Sequence, residues 1–156
     1  MPDLFSPLTI RGQQFENRAW VSPMCMYSAT DGLVGDWHLV HLGSLAAGGA
    51  GLVMTEATGV VPEGRISPLC PGIWSDELAG AWRPIVDYAH GQGAVMGIQL
   101  AHAGRKASTA APFDGGGYVD PSLGGWQPVG PSAVAFDALP VPTALSVDDI
   151  DALVDA

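Results

Sequence analysis

Three short runs in this chain carry residue types that could do chemistry. The first, Ser22-Pro23-Met24-Cys25-Met26-Tyr27, follows the apolar stretch Ala19-Trp20-Val21. A proline and a polar cluster there stop a sheet ladder and direct side chains beyond a strand tip. Cys25 supplies a polarizable thiol whose charge is set by its surroundings, and Tyr27 a phenol that can donate a proton. The second run, Thr55-Glu56-Ala57, closes the apolar stretch that begins at Gly51. The third is Gln99-Leu100-Ala101-His102-Ala103-Gly104-Arg105-Lys106, where Gln99 offers a neutral amide with both donors and acceptors. Packing alone has little use for such an assortment at the ends of three apolar segments.

The elements that must position these runs follow from periodicity and caps. Residues 1–18 read as a hairpin, with Leu8-Thr9-Ile10, a turn at Arg11-Gly12-Gln13, then Gln14-Phe15-Glu16. A first strand is expected at 18–21, and Asp31-Gly32 marks a turn. A helix is expected from Asp36, read as its cap, to Ala47, with Gly48-Gly49 ending it. Residues 51–55 form a buried strand. Ser75 caps a second helix in which Leu78, Trp82, Ile85 and Ala89 recur at helical spacing, and Pro84 is expected to kink it. Gly91 and Gly93 close that helix, and 94–100 is a third buried strand. Residues 101–145 form a long Gly- and Pro-rich loop, before Ser146-Val147-Asp148-Asp149 opens a third helix as a capping box. The order βαβαβ-loop-α, with near-continuous apolar strands, implies a parallel sheet covered by helices. In such folds ligands gather at the carboxyl ends of the strands, where the three runs stand.

The chain has 156 residues, of which 47% are hydrophobic and 14% charged, so one domain with a core is expected. Six Lys+Arg against sixteen Asp+Glu give a net charge of -10. That balance disfavours nucleic acid, whose phosphates need a basic face, and anionic membrane surfaces. A small anion held by backbone N–H groups remains compatible with it. The start Met1-Pro2-Asp3-Leu4-Phe5 has no secretory pattern, and no apolar run approaches the roughly 18 residues of a membrane span. A cytoplasmic location with Cys25 and Cys70 as two free thiols is the expectation. Cys70 is read as structural or incidental.

Other chemistries fit less well. His38 and His41 lie three apart on a helix, but no third ligand has metal-site spacing. Gly48-Gly49-Ala50-Gly51 precedes a strand, whereas a dinucleotide fingerprint joins strand to helix. No Gly-x-Ser-x-Gly elbow is present. His102 reads equally as catalytic and as a positioned structural histidine.

The motifs Ser22–Ser28, Gly64-Arg65-Ile66 and Gly97–Lys106 together resemble the old yellow enzyme family, with a cysteine at position 25 similar to its bacterial, thermophilic-like branch. The resemblance covers the chain in order. It implies the N-terminal part of a (β/α)₈ TIM barrel, about three βα units as a single incomplete domain over 1–156. It implies FMN, with NADPH or NADH as hydride donor, and reduction of α,β-unsaturated carbonyl compounds. Ser22, Pro23, Met24 and Cys25 would line the flavin, Ala57 would contact its ring, and Gln99 would bond its pyrimidine edge. Tyr27 would face the substrate, and Cys25 would tune the flavin from its reactive edge. Arg105 and Lys106 would begin the loop beside the site. The family's carbonyl-gripping pair, a flavin-side arginine and the FMN phosphate site belong to later strands. The 156 residues alone are therefore expected to be inactive and to hold FMN weakly or not at all. The rival reading is a non-catalytic fragment, either a partial sequence or a module that pairs with a complementary barrel half or with its own copy.

Overall fold

A computed structural model describes residues 3–156; Met1 and Pro2, which open the 1–18 segment, lie outside the described residues. The hairpin pairs β1 (Leu8–Ile10) antiparallel to β2 (Gln13–Phe15). Its turn is one residue tighter than the sequence suggests, because Arg11 itself adopts φ 53° and Gln13 already pairs with Ile10. β3 (Trp20–Val21), β4 (Leu52–Gly59) and β5 (Val95–Ala101) then form a parallel sheet in chain order. Helices α1 (Asp36–Ala47) and α2 (Asp76–Gly91) cross between them. Parallel pairing of consecutive strands through helical crossovers is the repeating βα unit that the apolar strand pattern implied.

The core lies between the helices and the sheet. Val34, Leu42, Ala46, Val53, Trp82, Ile85, Ala89 and Ala94 make one buried cluster. The four α2 positions expected to face the sheet are all buried. Gly43 of α1 sits under the Tyr88 ring of α2, where a Cβ would come within 2.9 Å of Cε1, so a residue without a side chain sets the helix spacing.

Three expectations need correction. Asp36 is the first residue of α1 and Gly35 is its cap; the His38 ring turns back so that Nδ1 accepts the Gly35 N–H at 3.2 Å. α2 runs unbroken through Pro84, which is exposed. Finally, β4 does not end at Thr55. It continues to Gly59 across a register shift between Met54 and Ala57, so Thr55-Glu56-Ala57 lies inside the strand.

Residues 101–145 are far from structureless. They hold three single 3₁₀ turns and a two-residue parallel pair, β6 (Val129–Gly130) with β7 (Thr143–Ala144). The segment is fastened to the β4–α2 connection around Arg65. The guanidinium lies 5.2 Å from the Trp74 ring and 5.0 Å from the Trp126 ring, and donates to the carbonyls of Pro62 and Pro68 at 2.9 and 3.1 Å. Trp126 Nε1 donates to the Glu63 carbonyl at 2.8 Å, and the backbone N–H groups of Ala103 and Thr109 donate to Gly64 and Ile66 at 2.8 and 2.9 Å. Ser146 caps α3 (Val147–Asp155) in the expected box with Asp149, whose carboxyl these bonds hold below its usual pKa. Helix α3 buries none of its residues.

Both outer strands keep apolar side chains in the open: Trp20 on β3 is 41% exposed and Leu100 on β5 is 62% exposed. No barrel closes among the described residues. Replacing Arg65 with alanine removes two cation–π contacts, each worth about 0.5–2 kcal/mol, and two hydrogen bonds. Arg65→Ala is expected to speed limited proteolysis within 101–145 while leaving cleavage of α1 and α2 unchanged, as read by mass spectrometry of the fragments.

Candidate functional site

The strand tips are drawn together by β4. Ala57 on β4 stands opposite Gln99 on β5 in the register resumed after the shift, and the Gln99 N–H donates to Thr55 Oγ1 at 3.3 Å. From the other side, Met26 N–H donates to Glu56 Oε2 at 2.9 Å, which brings the Ser22–Tyr27 run against the same strand. The Ala57 N–H in turn faces Cys25 Sγ. Cys25, Tyr27, Ala57 and Gln99, singled out from sequence, thus meet at one end of the sheet. Ser22, Pro23 and Met24 are exposed beside them, and so is Gln99.

Glu56 is the buried member of the group, with His38 beneath it. The carboxylate is 4% exposed and His38 2%. His38 Nε2 lies 3.4 Å from Glu56 Oε1, a contact too long for a strong hydrogen bond yet the closest partner that nitrogen has. Because Nδ1 accepts from Gly35, the ring hydrogen resides on Nε2 and points its positive end at the carboxylate. So His38, weighed from sequence only as half of a metal pair, acts through Glu56 on the loop that carries Cys25. His41 instead stacks on Trp37, with ring centroids 6.1 Å apart. Among the described residues no group of three His, Cys, Asp or Glu side chains could hold a metal.

Cys70 carries no site role in the sequence, where it reads as structural or incidental. It is fully buried, and its thiol meets Cys25. A hydrogen bond from Cys70, together with the Ala57 N–H, lowers the Cys25 pKa to about 7 against opposing burial and the nearby Glu56 charge. Cys70, the donor, is pushed upward by the same bond and by burial. Tyr27 is half-buried at φ 52°, its ring edge-on to Phe113 with centroids 6.0 Å apart. Burial first, then the charge on Cys25, raises its pKa, so the phenol stays protonated. Beside it lies an open hollow of ≈ 530 Å³, lined by Tyr27, Thr109, Pro112, Phe136 and Leu139. His102 turns inward to accept the Gly104 N–H at 3.0 Å, and burial lowers its pKa. Arg105 reaches the Val134 carbonyl at 3.3 Å, and Lys106 lies 4.0 Å over the Phe136 ring, so both fasten the loop.

A thiol, a protonated phenol and a free amide thus stand at the carboxyl ends of parallel strands, the edge at which α/β folds bind their ligands. The chain belongs to the NADH:flavin oxidoreductase / NADH oxidase family, which matches residues 3–156. It is 45% identical over 155 residues to an NADH:flavin oxidoreductase of Gibberella zeae, covering 96% of this chain and 38% of that protein. It is 39% identical to an NADPH dehydrogenase of Halalkalibacterium halodurans, covering 98% of this chain and 41% of the relative. The solved old yellow enzyme homologue from Zymomonas mobilis superposes with a TM-score of 0.80 at 32% identity, over 99% of this chain and 42% of that one. The resemblance to old yellow enzymes and the barrel architecture are borne out, and the chain spans about two fifths of the length of the curated relatives it matches. The family's description names a flavin and NADH, and the bacterial relative is an NADPH dehydrogenase. The residues present fit a flavin: Ser22, Pro23 and Met24 are exposed on one side of β4 and Gln99 on the other, and the Gln99 amide makes no side-chain hydrogen bond among the described residues.

The thiol geometry is directly testable. The rate of Cys25 alkylation by iodoacetamide is expected to rise through pH about 7, as thiol gives way to thiolate. Cys70→Ala should move that midpoint up, by removing the donor. Glu56→Gln should move it down, by removing a negative charge. Peptide mass spectrometry across a pH series reads both, and a midpoint unmoved in either variant contradicts the assignment.

Proposed function

We propose that this chain forms the N-terminal part of a cytoplasmic, FMN-dependent enzyme that uses NADPH or NADH to reduce the activated C=C bond of α,β-unsaturated carbonyl compounds. The observation that carries the reading is the convergence of Cys25, Tyr27, Ala57 and Gln99 on one end of three parallel strands. When bound, FMN supplies the hydride relay between nicotinamide and alkene.

The chain's own residues bind and orient. Ser22, Pro23 and Met24 offer exposed backbone along the flavin, and Ala57 is small enough to admit the ring against β4. The Gln99 amide pairs with the pyrimidine edge as donor and acceptor at once. Cys25 stands at the reactive edge, where a thiol near its own pKa exchanges a hydrogen-bond donor for a negative charge and so biases the flavin's electron affinity. Tyr27, protonated and lining the ≈ 530 Å³ hollow, holds a hydroxyl hydrogen toward the substrate carbonyl or alkene.

The open sheet edge supports a second reading, a module that works only by pairing with a complementary half or its own copy. Trp20 and Leu100, apolar and exposed on the two outer strands, favour it. One experiment addresses both. The purified chain is incubated with FMN, desalted and examined for a flavin band, alone and after co-expression with the remaining segment of the bacterial NADPH dehydrogenase. The chain alone is expected to be colourless, and the pair yellow and able to consume an enone with NADPH. A colourless pair, or a yellow pair that leaves enones untouched, overturns the enzymatic reading. Sizing of the chain alone at several concentrations reads self-pairing.

A further inference from the structure

Cys25 and Cys70 are both free thiols, and their side chains lie close enough for each to shift the ionisation of the other. Backbone bonds fix that meeting from both sides. Met26, next to Cys25, is tied to Glu56 of β4 at 2.9 Å, and Ala57 N–H faces Cys25 Sγ. Pro71, next to Cys70, accepts the Gly59 N–H of the same strand at 2.9 Å, and Gly59 and Gly72 form a parallel bridge. A further bond from Ala29 N–H to the Leu69 carbonyl at 3.0 Å joins the two cysteine-bearing segments directly. Both thiols are therefore held at one end of β4 by their immediate neighbours in the chain. Their accessibility differs: Cys25 is half-buried, whereas Cys70 is buried completely. An oxidant reaches the first; the second reaches only its neighbour.

We propose that Cys25 and Cys70 form a redox-active dithiol that hydroperoxides close to an intramolecular disulfide. In the first step the Cys25 thiolate attacks the terminal hydroperoxide oxygen. The O–O bond breaks, the alcohol or water leaves with a proton, and Cys25 becomes a sulfenic acid. In the second, Cys70 sulfur attacks Cys25 sulfur, the S–O bond breaks, the S–S bond forms, and water leaves with the Cys70 proton. Two electrons pass from the sulfurs to the peroxide. The lowered Cys25 pKa provides the attacking thiolate at neutral pH, and once Cys25 is oxidised the bond that held the Cys70 proton is gone, so Cys70 can release it and attack. The disulfide draws Cys25 sulfur toward the buried loop and away from the strand-tip face. Cellular thiols reverse it by exchange. This inference rests on the placement of two thiols and stands whether or not the flavin reading does.

The test treats the reduced 156-residue chain with hydrogen peroxide, in buffer and in concentrated urea, and follows intact mass and the non-reducing peptide map. The expected product has lost two hydrogens and joins the Cys25 and Cys70 peptides within one chain. It should form on the order of tenfold or more faster in buffer than in urea, because the fold supplies an effective concentration that an unfolded loop lacks. Cys70→Ser should stall at a Cys25 sulfenic acid that dimedone captures, and Cys25→Ser should leave Cys70 reduced. Equal rates in buffer and urea overturn the proposal. So does wild-type Cys25 passing on to sulfinic acid while Cys70 stays reduced, or a linkage that joins two chains.

Discussion

The arrangement of the site depends on one buried carboxylate. Glu56 sits in a strand that is otherwise core, where an unpaired charge would be costly to desolvate. It is kept there by the Met26 N–H and by the hydrogen-bearing nitrogen of His38, itself fixed by the cap of α1. These contacts join β4, the run that follows β3 and the start of α1. Removing either contact destabilises the site, because the carboxylate keeps its desolvation and loses part of its compensation. The position of Cys25 beside Ala57, and through it the contact with Cys70, follows from where Glu56 holds Met26.

Much of this was legible in the sequence because it is local. Ser75 and Ser146 cap the helices they were expected to cap, and Leu78, Trp82, Ile85 and Ala89 mark the buried face of α2 by spacing alone. Cys25, Tyr27, Ala57 and Gln99 stood out as chemically unusual endings to apolar strands. What stayed hidden depends on contacts between distant parts of the chain. Neither the type nor the spacing of Cys70 announces that Cys25 is its neighbour, and His38 offered only a helical spacing to His41. Glu56 was visible at a supposed strand end, but the register shift that turns it inward was not.

The long segment 101–145 shows how a Gly- and Pro-rich stretch gains order without regular structure. Its fixed points are few and strong: Arg65 between two indoles, an indole N–H on Glu63, and backbone bonds to Gly64 and Ile66. Each lies in the β4–α2 connection, so two loops restrain each other and the core does not have to. Phe113 and Phe136, carried by this segment, thereby reach Tyr27 and its hollow from outside the sheet.

The register shift in β4 has a consequence of its own. A strand with unbroken alternation carries one phase from end to end, so a change of side at its base is a change of side at its tip. Here the slip between Met54 and Ala57 resets that phase, and Thr55 and Glu56 are buried in succession. The half of β4 that fills the core and the half that meets Gln99 are thus decoupled. Sequence drift in the packing half leaves the orientation of the tip untouched, and a single strand can serve two masters, one constrained by volume and the other by chemistry.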